Sequence, residues 1–227
     1  MKKKEALVIH SGGMDSSICL ALACKEFGPA AVLSVSFSYH QRHSNELIQA
    51  QKICNDWNVD HVVLSIECLQ QITDNALINP HLAIEHLSQK APNTLVVGRN
   101  GLMARLGAIY AAHLGAKYIY MGVIEVEACN SGYRDCSRDY MDKMQEILRI
   151  DLGDPAFEIR TPIVFMTKAE SLCVAEKLGV LEYLLNETIS CYEGVAGVGC
   201  LVCPACLLRN EGIRQYRIIH HNSLSSQ

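Results

Sequence analysis

The chain has 227 residues, of which 49% are hydrophobic, and its formal net charge is −4 at pH 7. A chain of this length and apolar content is expected to form one substantial globular core with a small appendage rather than two full domains. No apolar run reaches the roughly 18 residues that a membrane-spanning helix needs, and the isoelectric point near 6.1 does not favour a protein that wraps DNA or RNA. We therefore expect a small-molecule substrate and no nucleic-acid or membrane partner.

The eleven cysteines would indicate a disulfide framework only in a small secreted protein. Residues 1–4 lead directly into a strand-like run, without the apolar core and cleavage site of a signal peptide. We therefore expect a cytoplasmic protein with reduced thiols. Seven cysteines are dispersed along the chain, and we expect these to be small buried hydrophobic residues.

Strand-like apolar runs alternate with helix-like stretches. Strands are predicted at residues 6–10, 31–37, 60–66 and 117–122, and helices at residues 15–27, 44–57 and 102–113. This alternation predicts an α/β fold, a Rossmann-like doubly wound parallel sheet with helices on both faces. A further helix is predicted from Thr167 to Leu178, because Thr167 and Glu170 have the spacing of a capping box.

The turn between the first strand and the first helix consists of Ser11, Gly12, Gly13, Met14, Asp15 and Ser16. Two consecutive glycines let backbone N–H groups turn toward an anion, and the following helix adds the positive end of its dipole. The Gly-Lys-Ser/Thr ending of the loop in kinases and GTPases is missing. The turn resembles instead the SGGxDS signature of the PP-loop ATP pyrophosphatases, which hold the pyrophosphate portion of ATP and transfer AMP to a substrate oxygen. Asp15 is a candidate ligand for Mg²⁺.

Four cysteines near the C-terminal end supply enough thiolates for a closed tetrahedral zinc site: Cys191, Cys200, Cys203 and Cys206. A closed site has no open position for water, so we expect zinc (Zn²⁺) to tie this segment to the sheet and not to catalyse. An iron–sulfur cluster is the alternative, because the last three cysteines have part of a ferredoxin spacing. We accordingly predict a nucleotide-binding domain in residues 1–185, a zinc-binding segment in residues 186–216 and a flexible tail in residues 217–227.

Further segments follow in a fixed order between these two ends. They are Gln41-Arg42-His43-Ser44, Val97-Gly98-Arg99-Asn100, Ser131-Gly132-Tyr133 with Asp135-Cys136, Thr161-Pro162 with Thr167-Lys168-Ala169-Glu170, and Ser190-Cys191-Tyr192 leading to Leu208-Arg209. Together with the SGGMDS turn and the cysteines, they resemble the QueC family, the 7-cyano-7-deazaguanine synthases of queuosine and 7-deazapurine biosynthesis. The resemblance covers the chain from Leu7 to about Gly212.

This resemblance implies an adenine nucleotide alpha-hydrolase-like fold and an AMP-forming carbon–nitrogen ligase. Such an enzyme converts 7-carboxy-7-deazaguanine and ammonia into 7-cyano-7-deazaguanine, using ATP, Mg²⁺ and a bound zinc. Adenylation gives the carboxylate a leaving group, ammonia then forms the amide, and a second adenylation of the amide oxygen allows dehydration to the nitrile. A homodimer is also implied.

The resemblance also implies roles for individual residues. ATP would contact His10, Ser11, Gly12, Gly13, Met14, Asp15, Ser16 and Ser17, and the catalytic residues would be Asp15, Arg99 and Lys168. The substrate would contact Gln41, Arg42, Arg99, Asn100, Tyr133 and Asp135. The guanidinium of Arg99 suits a carboxylate or phosphate, and Tyr133 with Asp135 offers a stacking face and an acceptor for ring N–H groups.

Three positions depart from the family pattern, and they keep alternatives open. Ser38 and His40 replace residues of an Asp-Tyr-Gly sequence, and Arg134 replaces a proline. One alternative is a QueC-like enzyme with an altered substrate in a DNA-modification or antiviral system. Another is a tRNA-modifying PP-loop enzyme, although neither an added RNA-binding region nor a basic surface is evident. A third is a zinc-stabilised binding module with ATP as a regulatory switch, which the intact turn disfavours.

Overall fold

The computed structural model of the chain describes residues 3–39, 45–73, 75–76, 82, 93–125, 132–195 and 197–224. Its centre is one parallel sheet of five strands: β1 (Ala6–Ile9), β2 (Val32–Ser38), β3 (Asp60–Ser65), β4 (Tyr118–Met121) and β5 (Glu158–Arg160). The strand order is β3-β2-β1-β4-β5, and Ala6 of β1 pairs with Val32 on one side and with Tyr118 on the other. The order reverses between β1 and β4, so the carboxyl ends of these two strands form the topological switch point of the sheet.

Helices cover both faces of the sheet. They are α1 (Met14–Phe27), α2 (Asn45–Asp56), α3 (Leu69–Ile72), α4 (Arg99–Leu114), α5 (Arg138–Leu152), α6 (Lys168–Lys177), α7 (Leu181–Glu187) and α8 (Pro204–Leu224). Side chains alternate along each strand, so Leu7 packs in one apolar cluster with α4 and α5 while Val8 packs in another with α1 and α6. The predicted doubly wound parallel sheet is therefore confirmed.

The four predicted strands agree with the observed ones to within one residue at each end. The capping box of α6 is also confirmed, because Thr167 Oγ1 accepts from the Glu170 N–H at 3.3 Å and the Glu170 carboxylate accepts from the Thr167 N–H at 2.7 Å. Helix α4 begins at Arg99 rather than at residue 102, immediately after Gly98 with its positive φ of 67°. Strand β5 and helices α5, α7 and α8 were not predicted.

Helix α8 extends into the stretch expected to be a tail. It runs to Leu224 as one helix because Cys203 and Cys206 fix its first turn and its buried Tyr216 packs in the cluster beside α6. Residues 217–224 are thus helical, whereas 225–227 lie outside the described residues, and the flexibility expected of this tail stays a prediction. The domain boundary at residues 185 and 186 stays a prediction. No helix in the described part of the chain is both long and apolar enough to cross a membrane.

Candidate active site

The SGGMDS turn lies at the carboxyl end of β1 and opens helix α1. Gly12 has a φ of 80°, and a Cβ atom on it would lie 2.4 Å from the backbone oxygen of Glu46 and 2.9 Å from the backbone nitrogen of Ala50. Only glycine fits there, because both neighbours are backbone atoms of α2. The Ser16 hydroxyl donates to the Gly13 carbonyl at 3.1 Å, so the loop is folded back upon the helix start. The backbone N–H groups at the start of α1 and the helix dipole suit an anion.

A chain of hydrogen bonds supports the turn from behind. The Ser17 hydroxyl donates to the Gly13 carbonyl at 2.8 Å, so His10 must donate from Nε2 to the Ser17 oxygen at 2.9 Å. The His10 Nδ1 atom then accepts from Ser34, 3.1 Å away, whose oxygen accepts from His61 Nδ1 at 2.9 Å.

Burial, with a smaller effect of His61, lowers the pKa of His10 from 6.5 to about 3. His10 is only 1% exposed, Met14 is 2% exposed and Ser17 is fully buried. Ser17 therefore lies behind the turn, whereas His10 and Met14 reach the cavity beside it and Ser11 is exposed at its surface. Contact of these residues with ATP stays a prediction.

Lys168 and Asp15 meet beside the turn. Lys168 Nζ donates to the two carboxylate oxygens of Asp15 at 2.7 and 2.6 Å. The ammonium group reaches Asp15 past Gly212 of α8, where a Cβ atom would lie 2.3 Å from Lys168 Cγ. The structure thus brings together two of the three predicted catalytic residues, which are 153 positions apart in the sequence.

A cavity of about 460 Å³ opens at the carboxyl ends of β1, β2 and β4. The turn forms one wall through Ser11, Gly13 and Asp15, and the start of α4 forms another through Arg99 and Asn100. This volume suits a small ligand, and the position at the switch point is where doubly wound folds bind nucleotides. Gly122 allows β4 to end against the turn, since a Cβ atom on it would lie 2.7 Å from the backbone of Asp15 and of Ser16.

Arg99 is the cation in the cavity wall opposite the turn. Its Nη1 atom donates to the Tyr39 hydroxyl at 3.3 Å. The neighbouring groups, first Tyr39 and then Tyr192, Asp135 and Tyr133, raise the pKa of Arg99 further, although burial opposes them. The guanidinium therefore stays charged in the cavity wall, as a binding site for a carboxylate or phosphate requires.

The other predicted substrate residues differ in their placement. Tyr133 lines the cavity, and its hydroxyl lies 2.5 Å from Thr94 Oγ1. Asp135 is 5% exposed, and its carboxylate accepts from the backbone N–H of Asn100 at 2.9 Å, which places it beneath the first turn of α4. Direct contact between Asp135 and a substrate stays a prediction. Gln41 and Arg42 lie outside the described residues.

The cavity residues that the sequence analysis did not assign include Tyr39, Glu46 and Tyr192. Glu46 lies in the first turn of α2, and a carboxylate in the first turn of the helix after β2 is a signal that could have found it. Tyr39 directly follows β2 at the sheet edge, and Tyr192 follows the first cysteine of the cluster. Burial raises the pKa of Glu46 from 4.5 to about 7, although the charge of Arg99 opposes this shift.

The four predicted cysteines converge on one point. The sulfur atoms of Cys191, Cys200, Cys203 and Cys206 all lie within 4.8 Å of one another. Cys206 Sγ lies 3.3 Å from Cys203 Sγ and 3.9 Å from Cys200 Sγ, close to the separation of sulfurs on a tetrahedral zinc. Backbone N–H groups of Val202 and Cys203 lower the pKa of Cys200 to about 7. The arrangement fits a metal held by four thiolates.

Arg209 of α8 connects the metal segment to the turn. Its guanidinium donates to the carbonyl oxygens of Leu185 at 2.7 Å, Gly197 at 2.5 Å and Thr188 at 3.3 Å. The next residue, Ile189, donates its backbone N–H to the Gly12 carbonyl at 3.2 Å. One buried side chain therefore holds the cysteine loop and the end of α7 in place beside the phosphate-binding turn.

A glycine-rich, phosphate-suited turn at the switch point of this sheet, with a lysine–aspartate pair beside it, defines a nucleotide-binding protein of the PP-loop ATP pyrophosphatase class. A 4-thiouridine synthetase in complex with RNA and with bound ATP has a similar fold, with a TM-score of 0.53 and 14% identity. That similarity covers 98% of this chain and 54% of the other and shows the fold alone.

The model of the family described as queuosine biosynthesis protein QueC matches residues 5–217. The chain is also 39% identical, over 216 residues, to proteins named 7-cyano-7-deazaguanine synthase from two strains of Staphylococcus epidermidis. These matches cover 95% of this chain and 95% of each relative. The chain therefore belongs to the QueC family.

Proposed function

We propose that this protein converts 7-carboxy-7-deazaguanine and ammonia into 7-cyano-7-deazaguanine at the expense of ATP. Membership of the QueC family supports this activity, and the observation that carries it is the shared cavity of the SGGMDS turn and Arg99. A turn suited to anions and the partly buried cation Arg99 line this one cavity. The first suits the phosphates of ATP, and the second suits the carboxylate of the substrate.

In the first half of the reaction, the turn holds the β and γ phosphates through its N–H groups and hydroxyls. Arg99 orients the substrate carboxylate, one oxygen of which attacks the α phosphorus while pyrophosphate leaves. The charged Lys168 lies beside the turn and stabilises negative charge that develops on the phosphates. Ammonia then attacks the acyl carbon, AMP leaves with the C–O electron pair, and a proton is lost to give the amide.

In the second half, the same turn holds a second ATP. The amide oxygen attacks the α phosphorus, pyrophosphate leaves, and one N–H proton is lost. The C–O bond then breaks, AMP leaves, and loss of the second N–H proton gives the nitrile. One nucleotide site used twice thus accounts for the change from acid to nitrile.

Both expected metals match donor sets of this chain. The Asp15 carboxylate offers oxygen atoms, which are the ligands that Mg²⁺ prefers. Bound Mg²⁺ would neutralise negative charge on the phosphates. The four sulfurs of the cysteine cluster would hold zinc, whose closed coordination gives it a structural role. We further propose that the protein acts in the cytoplasm as a homodimer, as the sequence resemblance implies.

Mass spectrometry of a reaction with the purified protein, ATP, Mg²⁺, ammonium and 7-carboxy-7-deazaguanine tests the proposal. We expect nitrile, with AMP and pyrophosphate formed in proportion, and no amide or nitrile when ammonium is omitted. Amide that accumulates without nitrile would restrict the activity to the first half. Absence of substrate-dependent AMP would overturn the proposal.

A further inference from the structure

We infer that Glu46 is the general base that takes the amide proton during nitrile formation. The inference rests on the proposed function and assigns a catalytic role to a residue outside the set predicted from the sequence. The second half of that reaction releases two N–H protons from the amide nitrogen. The cavity therefore needs a proton acceptor beside the carbon that carries the amide.

The backbone of α2 fixes Glu46 next to the nucleotide. Its carbonyl oxygen is the atom nearest to Gly12, 2.4 Å from where a Cβ atom on that glycine would be. Glu46 also lines the cavity together with Arg99 and with Ser11 and Gly13 of the turn. Glu46 therefore shares one cavity with the phosphate-binding turn and with the cation that we assign to the substrate carboxylate.

The other titratable groups that line the cavity are unsuited to the role. Within the described part of the chain, Asp15 is the other carboxylate in the lining, and Lys168 holds both of its oxygens. Both ring nitrogens of His10 are engaged by serine hydroxyls. Burial raises the pKa of the Tyr192 phenol, the Tyr133 hydroxyl is hydrogen-bonded to Thr94 and the Tyr39 hydroxyl accepts from Arg99. The thiol of Cys136 accepts a hydrogen bond from Asn100 Nδ2 at 3.3 Å.

The charge of the bound substrate changes the protonation of Glu46 between the two halves of the reaction. The groups that share the cavity with it are Arg99 on α4, Tyr39 after β2, Lys168 on α6 and Asp15 and His10 at the turn. The pKa of Glu46 is about 7 because burial outweighs the attraction of Arg99. A bound carboxylate would repel a second negative charge and favour protonated Glu46, whereas the neutral amide removes that repulsion. Glu46 therefore becomes a carboxylate at the stage that needs a base.

The proton transfers balance. As the amide oxygen bonds to phosphorus and pyrophosphate leaves, one N–H proton passes to the Glu46 carboxylate, and the C–N bond gains double-bond character. Glu46 is partly exposed, so solvent returns it to the carboxylate form. It then takes the second proton as the C–O bond breaks and AMP leaves with that electron pair.

Single-turnover assays that start from the acid and, separately, from the synthetic amide test the inference. Wild type is compared with E46Q, E46D and the control E187Q, whose carboxylate contacts Lys52 and Gln49 on the outer side of α2. In E46Q we expect acid-dependent release of pyrophosphate to persist and conversion of amide to nitrile to fall about 10²- to 10⁴-fold, the usual contribution of a general base. The wild-type rate from the amide should rise with pH, with a midpoint near pH 7 and a plateau about one pH unit higher. E46D should keep this rise at a lower maximum rate, and E46Q should lose it.

Two results would overturn the inference alone. One is an E46Q enzyme that forms nitrile at the wild-type rate, and the other is an equal loss of acid-dependent pyrophosphate release and of amide-to-nitrile conversion with the pH profile unchanged. Circular dichroism and the thermal midpoint establish whether each variant is folded. If E46Q does not fold, the comparison of E46D with wild type still tests the inference. A folded wild type that forms no nitrile from either substrate would instead overturn the proposed function, and this inference with it.

Discussion

Lys168 Nζ donates to both carboxylate oxygens of Asp15, so a single ion pair joins the first turn of α6 to the first turn of α1. The side chain of Lys168 is 9% exposed and that of Asp15 is 27% exposed, so water screens the pair only in part. The ammonium group therefore remains beside the turn as a fixed positive charge. Lys168 is therefore not a solvated lysine at a helix end, and its contact with a phosphate of ATP stays a prediction.

Replacing Lys168 with methionine should lower the rate of substrate-dependent AMP formation about 10²- to 10³-fold, the effect of removing one preorganised donor from a developing charge. The methylene stem would still pack against Gly212. K177M, at the exposed end of the same helix, is the control and should keep the wild-type rate. Pyrophosphate release measured at saturating ATP checks this. An unchanged rate in K168M would show that the lysine only supports the structure.

Removal of the metal should destabilise the C-terminal segment and weaken nucleotide binding together. The four sulfurs hold the loop that presents Gly197 to Arg209, and Arg209 in turn holds the chain that contacts Gly12. Because a structural metal contributes its binding energy to folding, a chelator or C203S should lower the thermal midpoint and raise the Kd for ATP. Elemental analysis should give one zinc per chain for wild type and for the control C173S. Full ATP affinity in the metal-free protein would contradict the coupling.

Replacing Arg209 with methionine should lower the free energy of unfolding by at least about 2 kcal/mol, since buried carbonyl oxygens would lose their donors at about 1–3 kcal/mol each. These are the carbonyls of Leu185, Thr188 and Gly197. R217M, an exposed position on the same helix, is the matched control and should change stability little. Urea unfolding followed by circular dichroism measures both. Equal stability of the two variants would show that water replaces the lost donors.

The buried His10 should make stability depend on pH. The pKa of His10 is about 3 in the folded protein, against 6.5 for an ordinary histidine. At pH values between 3 and 6.5, the unfolded chain therefore binds more protons than the folded protein does. The stabilisation is therefore complete above about pH 6.5 and is lost as the pH falls, by up to about 1.4 kcal/mol per pH unit. Burial also lowers the pKa of His61, which adds to the same slope.

The test is the slope of unfolding free energy against pH in H10Q, which cannot titrate. We expect a shallower slope than in wild type across the range from pH 4 to pH 6.5. H113Q, at an exposed position near the end of α4, should keep the wild-type slope. Parallel curves for H10Q and wild type would show that His10 is protonated in the folded protein.

Much of the fold could be predicted because its signals are local. Apolar runs of strand length located β1 to β4, and Thr167 with Glu170 marked the start of α6. Strand β5 was missed because three residues carry too little periodicity. Helix α8 was missed because Asn210, Glu211 and Gly212 interrupt its apolar pattern and its support comes from the cysteines and from α6.

The sequence by itself determined the phosphate-binding turn, the four cysteines and the order of strands and helices, because each depends on neighbours within about sixteen residues. Only the tertiary structure decided which side chains share the cavity. It brought Lys168 to Asp15 across 153 positions, buried Ser17 behind the turn, and placed Glu46 in the same cavity as Arg99. Such pairings depend on where parallel strands end and which helix packs beside them, and distant segments set both.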